Sequence, residues 1–339
     1  MKAACFHEHG GPEVLVVEEW PDPRPGPGEV LVEVRAAALN HLDLWVRRGL
    51  PVRIEMPHVG GADVAGSVLE VGSRVDSFRP GDRVVAYPLL GFGDRAYPEC
   101  GDRATGAPVI LGEQRNGGFR ERIALPAANW LPLPEPLSFE QGAALPVVFT
   151  TAWTMLERAG LQAGETVAVL GAGSGVGTAA VQIAGALGAR AIAVTRSPTK
   201  AEQLVGLGAD VVVSERPRQI AAELLRRSDR RGVDVVFEHL GGEFLEAVLP
   251  AMAYGGRLVS CGATAERFAR LDVRALFAKQ LRIEGVTLGP RRALERVLER
   301  AAKGELRPVI DRVLPLAACG DAHALLESGR VSGKLVLRP

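Results

Sequence analysis

Residues 166–177 read TVAVLGAGSGVG, an apolar run that breaks into glycine at 171, 173, 175 and 177. Glycine at such a bend lets the backbone approach a ligand, and the amides that open a helix attract an anion such as a pyrophosphate. A helix is expected directly after the turn. Val176, Ala180, Ile183, Ala184 and Leu187 recur at helical spacing and predict one face packed on a sheet. Gly188 supplies the stop. The run Val167–Ala189 carries no charge, but six glycines with Ser174, Thr178 and Gln182 mark strand, turn and helix rather than a membrane span. The spacing departs from GxGxxG, since Ser174 stands where the middle glycine would fall.

Outward from this turn the chain alternates. Strand-like runs are Thr166–Leu170, Arg190–Thr195, Val211–Val213, Asp234–Phe237, Gly256–Ser260 and Leu281–Leu288, with helix-like runs opening near Val176, Pro198, Pro217, Glu243 and Asp272. Six strands alternating with helices predict an α/β domain with a doubly wound parallel sheet. Before it, the first ~125 residues hold short strand-like runs (Glu29–Val34, Val64–Val71, Arg83–Ala86) between Gly/Pro clusters such as PDPRPGPG at 21–28, a β-rich pattern. Ser138 with Gln141 reads as a capping box. It opens a helical stretch, broken at Pro146, that runs to Ala159 and stops at Gly160. After Lys303 short strands and one helix return, and are expected to rejoin the first domain. The expected division is 1–126 with 303–339, and 127–302.

Composition narrows the function. The 339 residues are 47% apolar and 24% charged, and 40 basic residues balance 40 acidic ones. A nucleic-acid or anionic-membrane binder needs a basic excess, so neither is expected as a partner. Aromatic content of 5% is too low for a stacking platform for single strands. Cys5, Cys100, Cys261 and Cys319 form no CxxC pair, which fits a reducing cytoplasm, and the start MKAACFHEHGG has no apolar leader segment.

About twenty residues past the glycine turn, a site for unphosphorylated adenosine ribose would carry Asp or Glu. The chain instead has Val194-Thr195-Arg196-Ser197-Pro198-Thr199-Lys200. Thr195, Arg196, Ser197 and Lys200 suit a 2′-phosphate, which a carboxylate would repel, so NADP(H) is expected ahead of NAD(H). Arg196 also reads as a solvated arginine, and Ser197 as the helix cap before Pro198.

Several segments together resemble the medium-chain dehydrogenase/reductase superfamily over nearly the whole chain. They are Asn40-His41-Leu42-Asp43, Gly61-Ala62-Asp63-Val64-Ala65-Gly66, Gly81-Asp82-Arg83-Val84, Thr151-Ala152-Trp153 and the loop 171–177. Residues 232–242 (GVDVVFEHLGG), 255–262 (GGRLVSCG), Gly304–Val309 and Gly333–Leu337 complete the set. The resemblance implies a GroES-like catalytic domain in addition to the dinucleotide domain. It also implies cofactor contacts from Thr151, Ser174, Gly175, Val176, Gly177, Leu240, Cys261, Gly262 and Lys334.

The departures set the expected chemistry. Zinc members of that family carry Cys and His where this chain has Asn40 and Ala62, and a four-cysteine lobe where 89–110 holds only Cys100. His41 and His58 do not stand at ligand spacing and read as polar cleft residues. No stoichiometric zinc is expected. Zinc-free members resemble zeta-crystallin-like quinone oxidoreductases and enoyl reductases, so the expected activity is hydride transfer from NADPH to a quinone or α,β-unsaturated carbonyl. Asn40 would border the nicotinamide, or else be a buried turn residue. Tyr87 would donate to a developing oxyanion, or else be a barrel tyrosine. Asp43 reads as an orienting group. Against the phosphate, Glu215 stands where a tyrosine is often found. An alcohol dehydrogenase and a non-catalytic NADPH-binding protein remain the competing readings. The edge strand at Leu281–Leu288 predicts a homodimer with a continuous sheet.

Overall fold

The computed structural model describes residues 1–90 and 109–339. The expected loss of the cysteine lobe around Cys100 lies largely outside them. Two compact units form, 1–147 with 290–339, and 148–289.

The first unit opens with β1 (Lys2–Phe6), β2 (Val16–Glu19), β3 (Glu29–Ala38), α1 (His41–Arg48), β4 (His58–Val59), β5 (Asp63–Val71) and β6 (Arg83–Ala86). It continues with β7 (Leu89–Leu90), β8 (Val109–Ile110), β9 (Arg122–Pro126), β10 (Trp130–Pro132) and α2 (Phe139–Ala143). The capping box forms: Ser138 Oγ accepts from Gln141 N at 3.2 Å and Gln141 Oε1 from Ser138 N at 2.9 Å.

After α3 (Pro146–Arg158) come β11 (Thr166–Val169), α4 (Gly175–Ala186), β12 (Arg190–Thr195), α5 (Pro198–Gly206), β13 (Asp210–Val213) and α6 (Pro217–Arg227). The series ends with β14 (Val233–Glu238), α7 (Gly242–Val248), β15 (Met252–Ser260), α8 (Val273–Ala278) and β16 (Arg282–Gly285). These six strands make one sheet in the order β13-β12-β11-β14-β15-β16, every pair parallel. That is the doubly wound order, which places loop β11–α4 at the switch point where a ligand binds. The last strand is shorter than Leu281–Leu288, since Leu288 takes a φ of 54° that extended backbone excludes. On α4, Ala180, Ile183 and Ala184 are buried as expected, while Val176 and Leu187 are only half-buried. Thr178, Ala179 and Val181 are buried too, so small residues pack this helix on more than one side.

The chain then returns through α9 (Arg291–Ala302), β17 (Ile310–Pro315), α10 (Cys319–Glu327) and β18 (Lys334–Arg338). β18 pairs antiparallel with β3 and closes the seven-stranded sheet β10-β6-β5-β3-β18-β17, with β9 on β3. The unit boundaries therefore stand at 147/148 and 289/290, not 126/127 and 302/303. The reason is pairing: β10 extends the first unit's sheet along β6, and α2 packs on β3 and β5. In this unit, fully buried Phe119, Ile123, Leu125 and Trp130 anchor the core.

A buried charge ties α1 to α10. Arg47 is 0% exposed. It donates to Gly10 O at 3.1 Å, meets His323 Nδ1 at 3.2 Å and pairs with Glu327. Burial first, then the charge of Arg47, pushes the His323 pKa down to about 3.

Candidate active site

In the first unit three residues converge. Lys334 on β18, Asn40 before α1 and Asp63 at the start of β5 are all buried. Lys334 Nζ donates to Asn40 Oδ1 at 2.6 Å and to Asp63 Oδ2 at 2.9 Å. Asn40 Nδ2 donates to the same Asp63 oxygen at 2.9 Å. Asp63 Oδ1 accepts from Val147 N at 2.8 Å, in the first turn of α3. A buried carboxylate is tolerable when paired and fully hydrogen-bonded, and here both oxygens are engaged. Asn40 keeps one amide hydrogen and Lys334 one N–H beyond these bonds.

Asp43 accepts from two backbone amides beside this group. Its Oδ2 accepts from Asn40 N at 2.7 Å and its Oδ1 from Gly61 N at 2.9 Å, which pins the chain at both Asn40 and Gly61. Burial raises its pKa to about 6, opposed by those two amides and Lys334.

Tyr87 follows β6 and is buried. Its backbone is clamped by Asn129, whose carbonyl accepts from Tyr87 N at 2.7 Å and whose Nδ2 donates to Tyr87 O at 3.0 Å. Of the two histidines nearest Asn40 on its C-terminal side, His58 is buried with Nε2 against Gly112 O at 3.1 Å, and His41 lies against the Trp45 ring.

Zinc does not fit the position that Asn40 and Ala62 occupy. The side chains there are an amide and a methyl, which offers no ligand atom, and the neighbouring carboxylate is already paired with an ammonium. That ammonium would repel a divalent ion. Among the described residues, the group of three or more metal-type side chains that come together is Cys5, His7 and Glu18, on the β1–β2 hairpin.

In the second unit the glycine turn is built as expected. Ser174 caps α4, its Oγ accepting from Gly177 N at 3.1 Å. The amides of Gly175 and Val176, in the first turn, have no carbonyl one turn back to bond, which is what an anion needs. Gly177 has no room for a side chain: a Cβ would lie 2.6 Å from Ala172 Cα, so the helix packs directly on the loop. Gly171 has φ +60° and a Cβ there would lie 2.7 Å from His239 Nε2.

His239 is the hub that sequence reading missed. Its Nε2 lies 3.2 Å from Ser174 Oγ, and its neighbour Glu238 is 0% exposed. Glu238 accepts from Leu240 N, from Gly241 N at 2.5 Å and from Ser260 Oγ at 2.8 Å. It thereby holds the loops after β14 and β15 together, with Leu240, Cys261 and Gly262 on them. Burial lowers the His239 pKa and pushes the Cys261 thiol up to about 12, so a neutral imidazole and a protonated thiol line this end of the sheet. The signal was present: two polar residues closing the apolar run of β14, at the carboxyl end where ligands bind. Asp63 was likewise visible inside GADVAG, but nothing local points to its partner 271 positions away.

Thr195 ends β12, buried, its Oγ1 accepting from Ser197 N at 3.2 Å. Ser197 Oγ in turn accepts from Lys200 N at 3.4 Å as the α5 cap, and the Lys200 stem covers Gly173. Arg196 is exposed and makes no hydrogen bond or ion pair among the described residues. Ser214 N donates to Thr195 O at 2.9 Å, which places Glu215, exposed, one residue beyond. Thr151 is buried on α3.

A doubly wound sheet with an anion-ready turn, together with a β-rich unit carrying a buried polar cluster, defines a nicotinamide-dependent oxidoreductase. Residues 26–135 match the family model for an alcohol dehydrogenase GroES-like domain, and 175–303 that for a zinc-binding dehydrogenase. A solved NAD-dependent alcohol dehydrogenase superposes with TM-score 0.93 at 41% identity, covering 100% of both chains. Acryloyl-coenzyme A reductase of Metallosphaera sedula is 32% identical over 99% of each chain. Quinone oxidoreductase of Rattus norvegicus is 31% identical over 99% of this chain and 97% of its own. The chain belongs to the medium-chain dehydrogenase/reductase superfamily.

Proposed function

We propose that this chain reduces a quinone or an α,β-unsaturated carbonyl with NADPH as hydride donor and without zinc in the reaction. Conjugated thioesters belong to the same substrate class, as the resemblance to an acryloyl-coenzyme A reductase suggests. The observation that carries the reading is the Asn40–Asp63–Lys334 cluster, in which a lysine side chain and an amide engage the Asp63 carboxylate beside the Asn40 and Ala62 positions that, by the resemblance, hold ligands in zinc members. Oxidising an alcohol needs a group that lowers the pKa of its hydroxyl or takes the proton. Reducing a conjugated acceptor needs positioning and a donor for the oxyanion that develops.

The nicotinamide supplies the hydride when bound. This chain's residues do the rest. Gly175 and Val176 present amides to the pyrophosphate, and Glu238 and His239 set the loops that carry Leu240 and Gly262. Thr195 leaves no carboxylate to repel a 2′-phosphate, with Ser197 and Lys200 at the helix start beside it. Asn40, Lys334 and Tyr87 are the donors we assign to the substrate or cofactor oxygens. The expected homodimer would form at β16, which among the described residues pairs only with β15 and lies in a unit with exposed Tyr254, Phe268, Phe277 and Ile283. No helix among the described residues is long and apolar enough to cross a membrane. We assign the chain to the reducing cytoplasm.

The test is steady-state oxidation of NADPH against a panel of quinones, enones and enoyl thioesters, with alcohols and NADP+ in the reverse direction. Turnover with the acceptors supports the proposal. Brisk metal-independent alcohol oxidation with none of the acceptors reduced would establish the alcohol dehydrogenase reading instead. Cofactor binding with no turnover in either direction would leave a binding protein.

A further inference from the structure

The N-terminal hairpin brings three chemically unlike side chains onto one face. Pairing of Ala3 with Glu18 and of Cys5 with Val16 sets the register. Alternation then puts Ala3, Cys5 and His7 on the same side, with Glu18 opposite Ala3 on that side too. Cys5 Sγ lies 3.2 Å from Glu18 Oε1, and His7 Nε2 lies 3.1 and 3.2 Å from the two Glu18 oxygens. One ligand atom from each of the three lies within 4.8 Å of the others. Trp20 Nε1 donates to Glu18 Oε1 at 3.1 Å and holds the carboxylate in place.

We propose that Cys5, His7 and Glu18 are a three-ligand site for a borderline-soft divalent cation, Zn2+ foremost, with solvent as fourth ligand. Sulfur, imidazole and carboxylate ligands about 2.0–2.3 Å from a tetrahedral zinc stand roughly 3.3–3.7 Å apart, so the Cys5–Glu18 and His7–Glu18 separations need only a slight opening. A thiolate and a carboxylate balance the ion's two charges. Sulfur selects against Mg2+ and Ca2+, which take oxygen alone. Cys5 is fully buried, while the side chains of His7 and Glu18 are 57% and 38% exposed, which gives an entry path from one side. A thiol must lose its proton to ligate a metal, so binding releases a proton and weakens toward acid. The Trp20 indole acts as an outer partner that fixes a ligand. All three ligands belong to the hairpin, and none of them belongs to the Asn40 cluster, so the site does not depend on the proposed reaction; it runs against the expectation of no stoichiometric zinc, which rested on the Asn40, Ala62 and Cys100 positions alone.

Chelator-treated full-length protein, titrated with Co2+ and then Zn2+, decides it. Expected is a single equivalent of Co2+ that develops a thiolate-to-cobalt charge-transfer band, displaced by Zn2+. The band should vanish in Cys5→Ser and persist in Cys100→Ser. Losing an outer partner of a metal costs about 10–100-fold in affinity, so His7→Ala, at an exposed position, should cost at least that. Absence of the band in the wild-type protein, its survival in Cys5→Ser, or unchanged affinity in folded His7→Ala would overturn the site.

Discussion

The glycine turn of the second unit and the Asn40–Asp63–Lys334 cluster of the first do opposite things with the same need, to manage charge. The turn is made of backbone: its amides point out of a helix start, a Cβ at Gly177 or Gly171 would strike Ala172 or His239, and one serine caps it. The cluster is made of side chains from positions 40, 63 and 334, and each satisfies the other two. A backbone device tolerates loss of its one capping side chain. A closed polar network does not, because removal of one member strands the rest in low dielectric.

The contrast is broken most directly at Lys334. Replacing it by Met strands the Asp63 carboxylate, and we expect a loss of about 3–5 kcal/mol by urea unfolding. Asp63→Asn in the same chain should recover part of it, and a loss under about 1 kcal/mol would show the cluster is not a unit.

Chemistry is the next test. Tyr87→Phe should lower turnover with the acceptor by roughly one to three orders of magnitude, the scale of one lost donor, with NADPH binding near normal. An unchanged rate would remove Tyr87 from the reaction.

Elsewhere in the first unit, His323 sharpens the contrast through pH. Its folded pKa of about 3 lies below the ordinary 6.5, so the unfolded chain binds the extra proton and stability falls as pH drops below 6.5. At about pH 4.5 the cost is about 2–3 kcal/mol, and urea midpoints of His323→Gln should fall less with acid than those of the wild-type protein.

In the second unit, Thr195→Asp should cost about one to two orders of magnitude in NADPH affinity, by one like-charge contact near solvent. Equal wild-type affinity for NADPH and NADH would remove the basis for that. The smallest effect belongs to Ser174→Ala, which loses a cap and a contact to His239. About 1 kcal/mol of stability should go, since the helix amides themselves remain.

From the sequence alone came the β-rich unit, the six alternating strands with their order of succession, the Ser138 and Ser197 caps, and the turn that faces an anion. Each follows from periodicity or from what glycine and serine do to the backbone beside them, and such effects act over a few residues. Asn40, Asp43, Tyr87 and Lys334 could be picked out, but not their partners. Only the tertiary structure joined Lys334 to residues 271 and 294 positions earlier, made Glu238 and His239 the brace behind the glycine turn, and extended the first unit past residue 126. Pairing across such distances is decided by how strands β18, β5 and β3 lie in one sheet, and a buried charge has a partner only once those strands have brought one to it.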